Sequence, residues 1–577
     1  MQLKPPFVLL DDARAEGAAP ARLYTDPVEI VATRRPGEVA GALDALRTAT
    51  RGGLHAAGFM TYEAGHALEP RLAPHAFDDG TGLLLWFGLF RDFREIAADA
   101  VPAALPGPAG GWLGPPQPDL DANAYADKLD TVRALIAAGD IYQANLTFAA
   151  HVATAGHPLA LYAGLRARAA AGYGAVVATG SEWLLSLSPE LFFSVRDGHV
   201  RTRPMKGTAT RDSDPAVLAA DPKQRAENLM IVDLLRNDLS RVAVAGSVAV
   251  PQLFHVETYP TLHQMTSTVT AELAPGEDAV STLAALYPCG SITGAPKIRA
   301  MEVIGTVEDA PRGAYTGAIG RLDPNGDAAF NVAIRTLAMV EGQAGARLGL
   351  GSGVVADSTA PSEWAECLAK GAFVASRRRF DLIETMRYDP EAGLVRLDRH
   401  LERMNASAEV FGFAFDRHAA RNELQAATFR LRDGARVRLL LAASGRVAVE
   451  VRAMPPFPDA PVDVVFAPLP VDARDFRLTH KTTDRGFYDQ GRGGAFETVF
   501  YVGDAITEGS FTNVFVERDG ILLTPPLALG LLGGVLRQEL IAEGRAREAE
   551  LRLADLSDGF LIGNSLRGLL PARLARV

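Results

Sequence analysis

The stretch PSEWAECLAKGAFVASRRRFDLIETM, 361–386, changes pattern once, and that change limits the whole chain. Apolar and small residues at helical spacing end in three arginines, and the strand-like run FDLIETM follows. A helix end set against a strand start marks the close of one compact unit and the start of another, so 377–381 is the expected boundary. At 577 residues the chain also exceeds what one hydrophobic core usually serves. Two domains are expected, 1–380 and 381–577.

Before that boundary, GLHAAGFMTYEAG and GLLLWFGLF read as strands, and the Pro/Gly-rich section 101–125 as a loop. A helix should follow, with Tyr125, Leu129, Val132 and Ile136 on its apolar side and Asp121 or Asn123 as its cap. YGAVVATG, EWLLSLSPELFFSVRDGHV and HVRTRPMKG are strand-like. DPKQRAENLMIVDLLRNDLSRV predicts a helix whose apolar side is Leu229, Val232, Leu235 and Leu239. Residues 313–358 predict three antiparallel strands joined by Gly-rich turns. Antiparallel sheets alternating with long helices give an α+β class. Past the boundary, a hairpin leads into an amphipathic helix carrying Leu401, Met404, Ala408 and Phe411.

Composition removes several classes. The chain is 48% hydrophobic and 22% charged with a net charge of −11, which offers nucleic acid or an anionic membrane no general attraction. Two cysteines, Cys289 and Cys367, make neither a disulfide framework nor a cysteine-rich zinc site. No apolar run approaches the ~20 residues that span a bilayer, and MQLKPPFVLLDD is no secretory signal. A soluble cytoplasmic protein is expected.

Several residues could carry chemistry. Lys206 in RPMKGTAT is either a charge beside a turn or a nucleophile held in a pocket. Glu190 follows Ser188-Pro189 among apolar residues, where a raised pKa would suit an acid or base; on residues alone, an outward-facing strand position explains it better. Glu227 and Glu366 could converge on a hard divalent ion or be solvated helix charges. YPCGSITGAPKIRAM can present backbone N–H groups to an anion, and GLGSGVVADS leaves room for a ligand to approach closely. Arg335 and Lys370 are candidate carboxylate clamps or ordinary ion pairs. Farther on stand Lys481 in LTHKTTDRGFYD, Glu508 in AITEGSFTNVFV, and Gly533-Gly534 opening a helix.

GDIYQANLT, SPELFF, RPMKGTATR, ENLMIVDLLRNDLSRV, PCGSITGAPKIRAM, NVAIRT and GSGVVADSTAPSEWAECLAKGA together resemble the ordered motifs of the chorismate-utilising enzymes. The resemblance spans roughly 250 residues and implies a layered α+β fold with large antiparallel sheets. Within that family, the lysine at 206 resembles aminodeoxychorismate synthase component I rather than the anthranilate-forming members. By that resemblance Lys206 attacks C2 of chorismate as the C4 hydroxyl leaves, and ammonia then enters at C4. Glu190 would be the general acid/base that assists departure of the C4 hydroxyl, Glu227 and Glu366 the Mg²⁺ ligands, and Glu363 an outer or alternative ligand. Thr293, Gly294 and Gly353 would touch substrate, and Arg335 and Lys370 would bind its carboxylates. Gln264 stands where anthranilate-forming members resemble histidine, and the neighbouring His263 should face the other way. Gln143 stands where isochorismate synthases resemble a lysine base. No glutaminase cysteine is recognisable, so a separate glutamine amidotransferase subunit should supply ammonia.

Residues 382–575 resemble the fold-type IV pyridoxal-phosphate enzymes, which include aminodeoxychorismate lyase and branched-chain aminotransferases; the implied fold is two α/β subdomains. Lys481 would bond the cofactor and shuttle the proton, and Glu508 would pair with the pyridine nitrogen. Arg396, the backbone of Val535 and Leu536, and Ser565 would hold the phosphate, and Arg567 a substrate carboxylate. A homodimer through this domain is a further expectation.

The combination implies 4-aminobenzoate synthesis for folate: chorismate to 4-amino-4-deoxychorismate, then loss of pyruvate. Two alternatives stand beside it. One is an anthranilate synthase component fused to a branched-chain or D-amino-acid aminotransferase, and the other a non-catalytic chorismate-binding scaffold.

Overall fold

A computed structural model describes residues 3–75, 80, 82–258, 262–376, 378–458, 461–491 and 495–575. The chain forms two compact units. One comprises 1–105, 115–152 and 162–375, and the other 106–114, 153–161 and 376–577. A single crossing at 377–381 therefore leaves out two short upstream stretches that belong to the second unit, and Arg377 itself lies outside the described residues.

The first unit holds two ten-stranded sheets, all of whose strand pairs are antiparallel. One runs from Gly294–Ala295 and Gln143–Val152 through Ala346–Val354 to Phe7–Asp11 and Ala21–Thr25. The other starts at Met205–Thr210 and Leu262–Glu272 and runs through Leu191–Arg196 and Ala328–Val332 to His55–Met60. Val8, Tyr24, Val177 and Leu184 of the first sheet pack on Phe59, Trp86 and Ile319 of the second. Each such side chain removed from water stabilises by about 1.5–3 kcal/mol. Helices Val39–Arg51, Pro222–Ser240, Ala279–Leu286 and Lys297–Val307 share a further core with the second sheet.

Two expectations are corrected. Residues 313–358 form four strands, two in each sheet: Ala318–Leu322 and Ala328–Val332 in the second, Thr336–Val340 and Ala346–Val354 in the first. Helix Pro222–Ser240 buries Ile231, Val232, Leu235 and Leu239, whereas Leu229 is 43% exposed, because the buried face also takes in the polar Asn228. The cap of helix Ala122–Ala137 is Asp121, whose carboxylate accepts from the N–H groups of Asn123 and Ala124.

The second unit has a four-stranded antiparallel sheet (Leu382–Asp389, Gly393–Leu394, Ala435–Leu441, Val447–Ala453) backed by helices Leu397–Phe411 and Arg417–Thr428. Its eight-stranded sheet is mixed: Val462–Pro468 runs parallel to Glu497–Val502 and Gly568–Leu574, and helix Val535–Ala542 packs on Phe515. The upstream stretches complete this unit's core. Trp112 packs edge-on against Phe411 and Phe380, with ring centroids 5.0 and 6.3 Å away, and Trp112–Leu113 pairs with Thr154–Ala155. Among the described residues no helix is long and apolar enough to cross a membrane.

Candidate active sites

In the first unit, strand Glu182–Ser188 belongs to one sheet and Leu191–Arg196 to the other, so Glu190 stands where the chain crosses between them. The return crossing, after Ala328–Val332, carries Arg335 at φ +52°. The two crossings are bonded to each other. Ser188 Oγ donates to Val332 O at 2.6 Å, Val332 N to Glu190 O at 3.1 Å, and Leu187 N to Arg335 O at 3.1 Å. Glu190 is 4% exposed, which overturns the outward-facing alternative. Ser291 Oγ donates to its Oε1 at 2.7 Å, and the Met205 N–H also bonds its carboxyl. Burial raises its pKa, with Ser291 and Lys206 opposing.

Lys206 sits at a bulge. Register slips between Met205 and Thr208, with Gly207 at φ +82°, and Gln264 Nε2 closes the bulge by donating to Gly207 O at 2.7 Å. His263 turns away, with its ring nitrogens on Thr258 and the Arg211 carbonyl. Gly353 belongs to the other sheet: a Cβ there would lie 2.5 Å from Gln143 Nε2 and 3.7 Å from Lys206 Nζ, so glycine keeps open the space beside the amine. Burial lowers the Lys206 pKa; Glu190 opposes this and Lys370 adds to it. Amine and acid are therefore each pushed toward the neutral state.

The GSITG loop is braced from within. Thr293 Oγ1 donates to Cys289 O at 2.8 Å, and Gly294, at φ +145°, passes where a Cβ would strike Gln143 O. Lys297 pairs with buried Asp238 at 2.6 Å, which gives that part of the motif a structural task.

The carboxylates are less gathered. Glu366 pairs with Lys370 at 2.7 Å, and Lys370 Nζ also donates to Gly351 O at 2.9 Å. Glu363 accepts from Ser358 Oγ at 2.8 Å. Burial raises the pKa of Glu227, with the charges of Asp357 and Glu366 adding and those of Lys206 and Lys223 opposing. Among the described residues no group of three or more His, Cys, Asp and Glu side chains is drawn together as a metal site. Both cysteines are buried, and burial pushes Cys289 up to about 12 and Cys367 to about 11, the reverse of a reactive thiolate.

The second unit encloses a cavity of about 250 Å³ lined by Lys481, Glu508, His400, Arg403, Val535 and Ser565 among others. Lys481 follows the short helix Phe476–Thr479, and its carbonyl accepts from Ile383 N at 2.9 Å. Burial pushes its pKa down to about 7; Glu384 opposes, and Arg403, Arg485 and Arg438 add. Burial pushes Glu508 up to about 7, while Tyr488 Oη donates to its Oε1 at 2.5 Å and Leu532 N to its Oε2 at 3.0 Å.

Arg396 is the misplaced candidate. It stands at the N-cap of helix Leu397–Phe411 and pairs with Glu539 at 2.5 Å, off the cavity wall. Arg403, two turns on, faces the cavity, grips Glu384 through Nε and Nη2, and donates to Gly533 O at 3.0 Å. Leu536 buries its side chain beside Phe515 and can offer only its N–H. Arg567 lines the cavity near Arg436, whose charge adds to burial in lowering its pKa. Among the described residues Arg567 Nε and Arg485 Nη1 are buried without a hydrogen-bond partner, a donor set suited to an anionic ligand. The sequence reading also missed Ser291, Tyr488, His400 and Glu384; Ser291 and Tyr488 lie inside quoted motifs and could have been picked out there.

Residues 6–376 match the family model described as chorismate binding enzyme. The chain belongs to that family. Residues 381–575 of this chorismate-binding family member match a second model, amino-transferase class IV. Aminodeoxychorismate synthase component 1 of Escherichia coli is 41% identical over 261 residues, 44% of this chain and 57% of that protein. Anthranilate synthase component 1 of Methanothermobacter thermautotrophicus is 39% identical over 257 residues, 43% of this chain and 55% of that protein. The chain thus spans little more than half the length of the curated relatives it matches. A crystal structure of anthranilate synthase component I from Streptococcus pneumoniae covers 63% of this chain and 93% of its own, at 26% identity and a TM-score of 0.53. Overall identity therefore hardly separates these two kinds of relative.

Proposed function

We propose that the chain makes 4-aminobenzoate from chorismate and ammonia in two steps, one in each unit. The observation that carries the first step is Lys206, an amine whose pKa burial lowers and which stands beside the gap left by Gly353. Its Nζ bonds to C2 of chorismate while both ring double bonds shift, C1=C2 to C6=C1 and C5=C6 to C4=C5, and the C4 hydroxyl leaves as water, taking its proton from Glu190. Ammonia then bonds to C4, both double bonds shift back, and the C2–Nζ bond breaks to release Lys206. Glu227 and Glu366, with Glu363 behind them, would hold Mg²⁺; an oxygen-only donor set suits a hard cation, and the charge of Glu366 adds to burial in raising the Glu227 pKa. The ion would supply positive charge for a substrate carboxylate. Arg335, Lys370 and the Thr293–Gly294 loop would orient that substrate. A separate glutamine amidotransferase would deliver the ammonia, in the cytoplasm.

In the second unit the unpartnered Arg485 Nη1 and Arg567 Nε, with Lys481 and Glu508, fit pyridoxal 5′-phosphate and a carboxylate-bearing substrate. The cofactor, when bound, supplies an electron sink. Arg403, Ser565 and the N–H groups at Val535 and Leu536 would hold its phosphate, Glu508 its ring nitrogen and Lys481 its aldehyde carbon. Lys481 Nζ, pushed to about 7, takes the C4 proton of 4-amino-4-deoxychorismate, and Arg567 holds a carboxylate as pyruvate is lost. The class IV amino-transferase match keeps amino-group transfer to a keto acid as a second reading for this unit. Incubating the chain with chorismate, a magnesium salt and an ammonium salt tests both steps. 4-Aminobenzoate and pyruvate are expected; anthranilate would overturn the first step, and 4-amino-4-deoxychorismate that persists with pyridoxal phosphate present would overturn the second.

A further inference from the structure

His400 links the cavity wall to a buried carboxylate. It is 1% exposed; its Nδ1 lies 2.6 Å from Glu384 Oε2 and its Nε2 2.8 Å from Ser565 Oγ. Arg403 grips the same carboxylate, Nε on Oε1 at 2.8 Å and Nη2 on Oε2 at 2.6 Å. Burial by itself would raise the Glu384 pKa, yet Arg403 and His400 hold it well below the usual carboxylate range. An ionised carboxylate only accepts, so His400 Nδ1 carries the hydrogen. In a neutral imidazole Nε2 must then accept, and the Ser565 hydroxyl supplies that hydrogen.

Ser565 in this state shows the cavity only lone pairs. Phosphate ester oxygens also accept, and above their second pKa, about 6, the group is a dianion. The two surfaces repel unless the hydroxyl hydrogen turns around, and it can do so only if His400 Nε2 becomes a donor.

We propose that a phosphate ester entering this cavity charges His400: one proton from solvent adds to Nε2, and Ser565 turns its hydrogen from His400 to a phosphate oxygen. The relay rests on reading the cavity as a phosphate-cofactor site. Charged groups reach His400 from every side: Arg403 on its own helix, Glu384 from strand Leu382–Asp389, and Lys481 from the segment after Phe476–Thr479. Arg436, Arg485, Glu508 and Arg567 complete the charged wall. Burial lowers the His400 pKa; Glu384 opposes, and Arg403 and Lys481 add, which favours the neutral imidazole. A dianion on the Ser565 side supplies the charge that reverses that balance.

The probe is pyridoxamine 5′-phosphate, whose amine cannot condense with Lys481. Calorimetric titration in buffers of different ionisation enthalpy, at mildly alkaline pH, counts the protons taken up on binding. About one proton should be traceable to the relay, with affinity falling about tenfold per pH unit as His400 charging becomes costlier. Ser565→Ala and His400→Gln should each lose about that one proton of uptake and flatten the pH profile. Wild-type binding without proton uptake overturns the relay, as does equal uptake in both variants. A wild-type chain that binds neither this probe nor pyridoxal 5′-phosphate overturns the cofactor reading as well.

Discussion

Lys206 and Lys481 are both pulled toward neutrality by burial, yet their surroundings are nearly opposite. Glu190, Glu227 and Glu366 oppose the loss of charge at Lys206, with Lys370 on the other side. Around Lys481 the cations prevail: Arg403, Arg485 and Arg438 add to burial, and Glu384 alone among the named charges opposes. The difference teaches that a reactive amine needs only desolvation, while the neighbouring charges select what it meets. Carboxylates beside Lys206 suit a site that shares its substrate with a divalent cation and needs a proton donor. Guanidinium groups beside Lys481 suit a ligand that brings its own negative charge.

The comparison breaks first if the lysines are not independent. Lys206→Ala should lower amination of chorismate by about 10³-fold or more while supplied 4-amino-4-deoxychorismate still yields pyruvate. Lys481→Ala should do the reverse, and product analysis by chromatography reads both. Next comes Trp112→Ala, which should destabilise the second unit by about 3–5 kcal/mol. Denaturant unfolding followed in that unit checks it, since Trp112 fills a core with Phe380 and Phe411 although it lies far upstream in sequence. A smaller effect separates two arginines. Arg403→Ala should weaken pyridoxal phosphate binding by about 10–100-fold, the loss of one charge-assisted contact, and Arg396→Ala should leave it nearly unchanged in a fluorescence titration.

The smallest effect sharpens the electrostatics. Lys481 titrates near 7 when folded and near 10.4 when unfolded. Between those values the unfolded chain holds the extra proton, so the stability of the cofactor-free second unit should rise with pH across that window. Lys481→Met should flatten the rise and increase the melting midpoint near neutral pH by a few degrees, roughly the cost of keeping an amine desolvated.

Chemistry was legible where a residue type recurs in a fixed setting, and geometry was not. Lys206 beside Gly207, and Glu190 after Ser188-Pro189, could be singled out from their neighbours, although burial of Glu190 depends on a sheet crossing that no local pattern encodes. The same blindness produced three strands where there are four: partners in different sheets share one local alternation. Arg396 and Arg403 are seven residues apart, which places them on nearly the same helical face, and spacing alone cannot say which turn meets the cavity. Leu229 fits an apolar stripe, but the helix spends that part of its face on Asn228, bonded to Ser267.

The paired crossings at Glu190 and Arg335 have a mechanical consequence. Because hydrogen bonds tie each crossing to the other, the position of Glu190 relative to Lys206 follows the separation of the two sheets rather than loop motion. Trp86 and Phe59, which fill the layer between those sheets, act as its spacers. On the proposed reading, a change of side-chain volume there would alter proton delivery by Glu190 from a distance, with no change to any residue proposed to touch substrate.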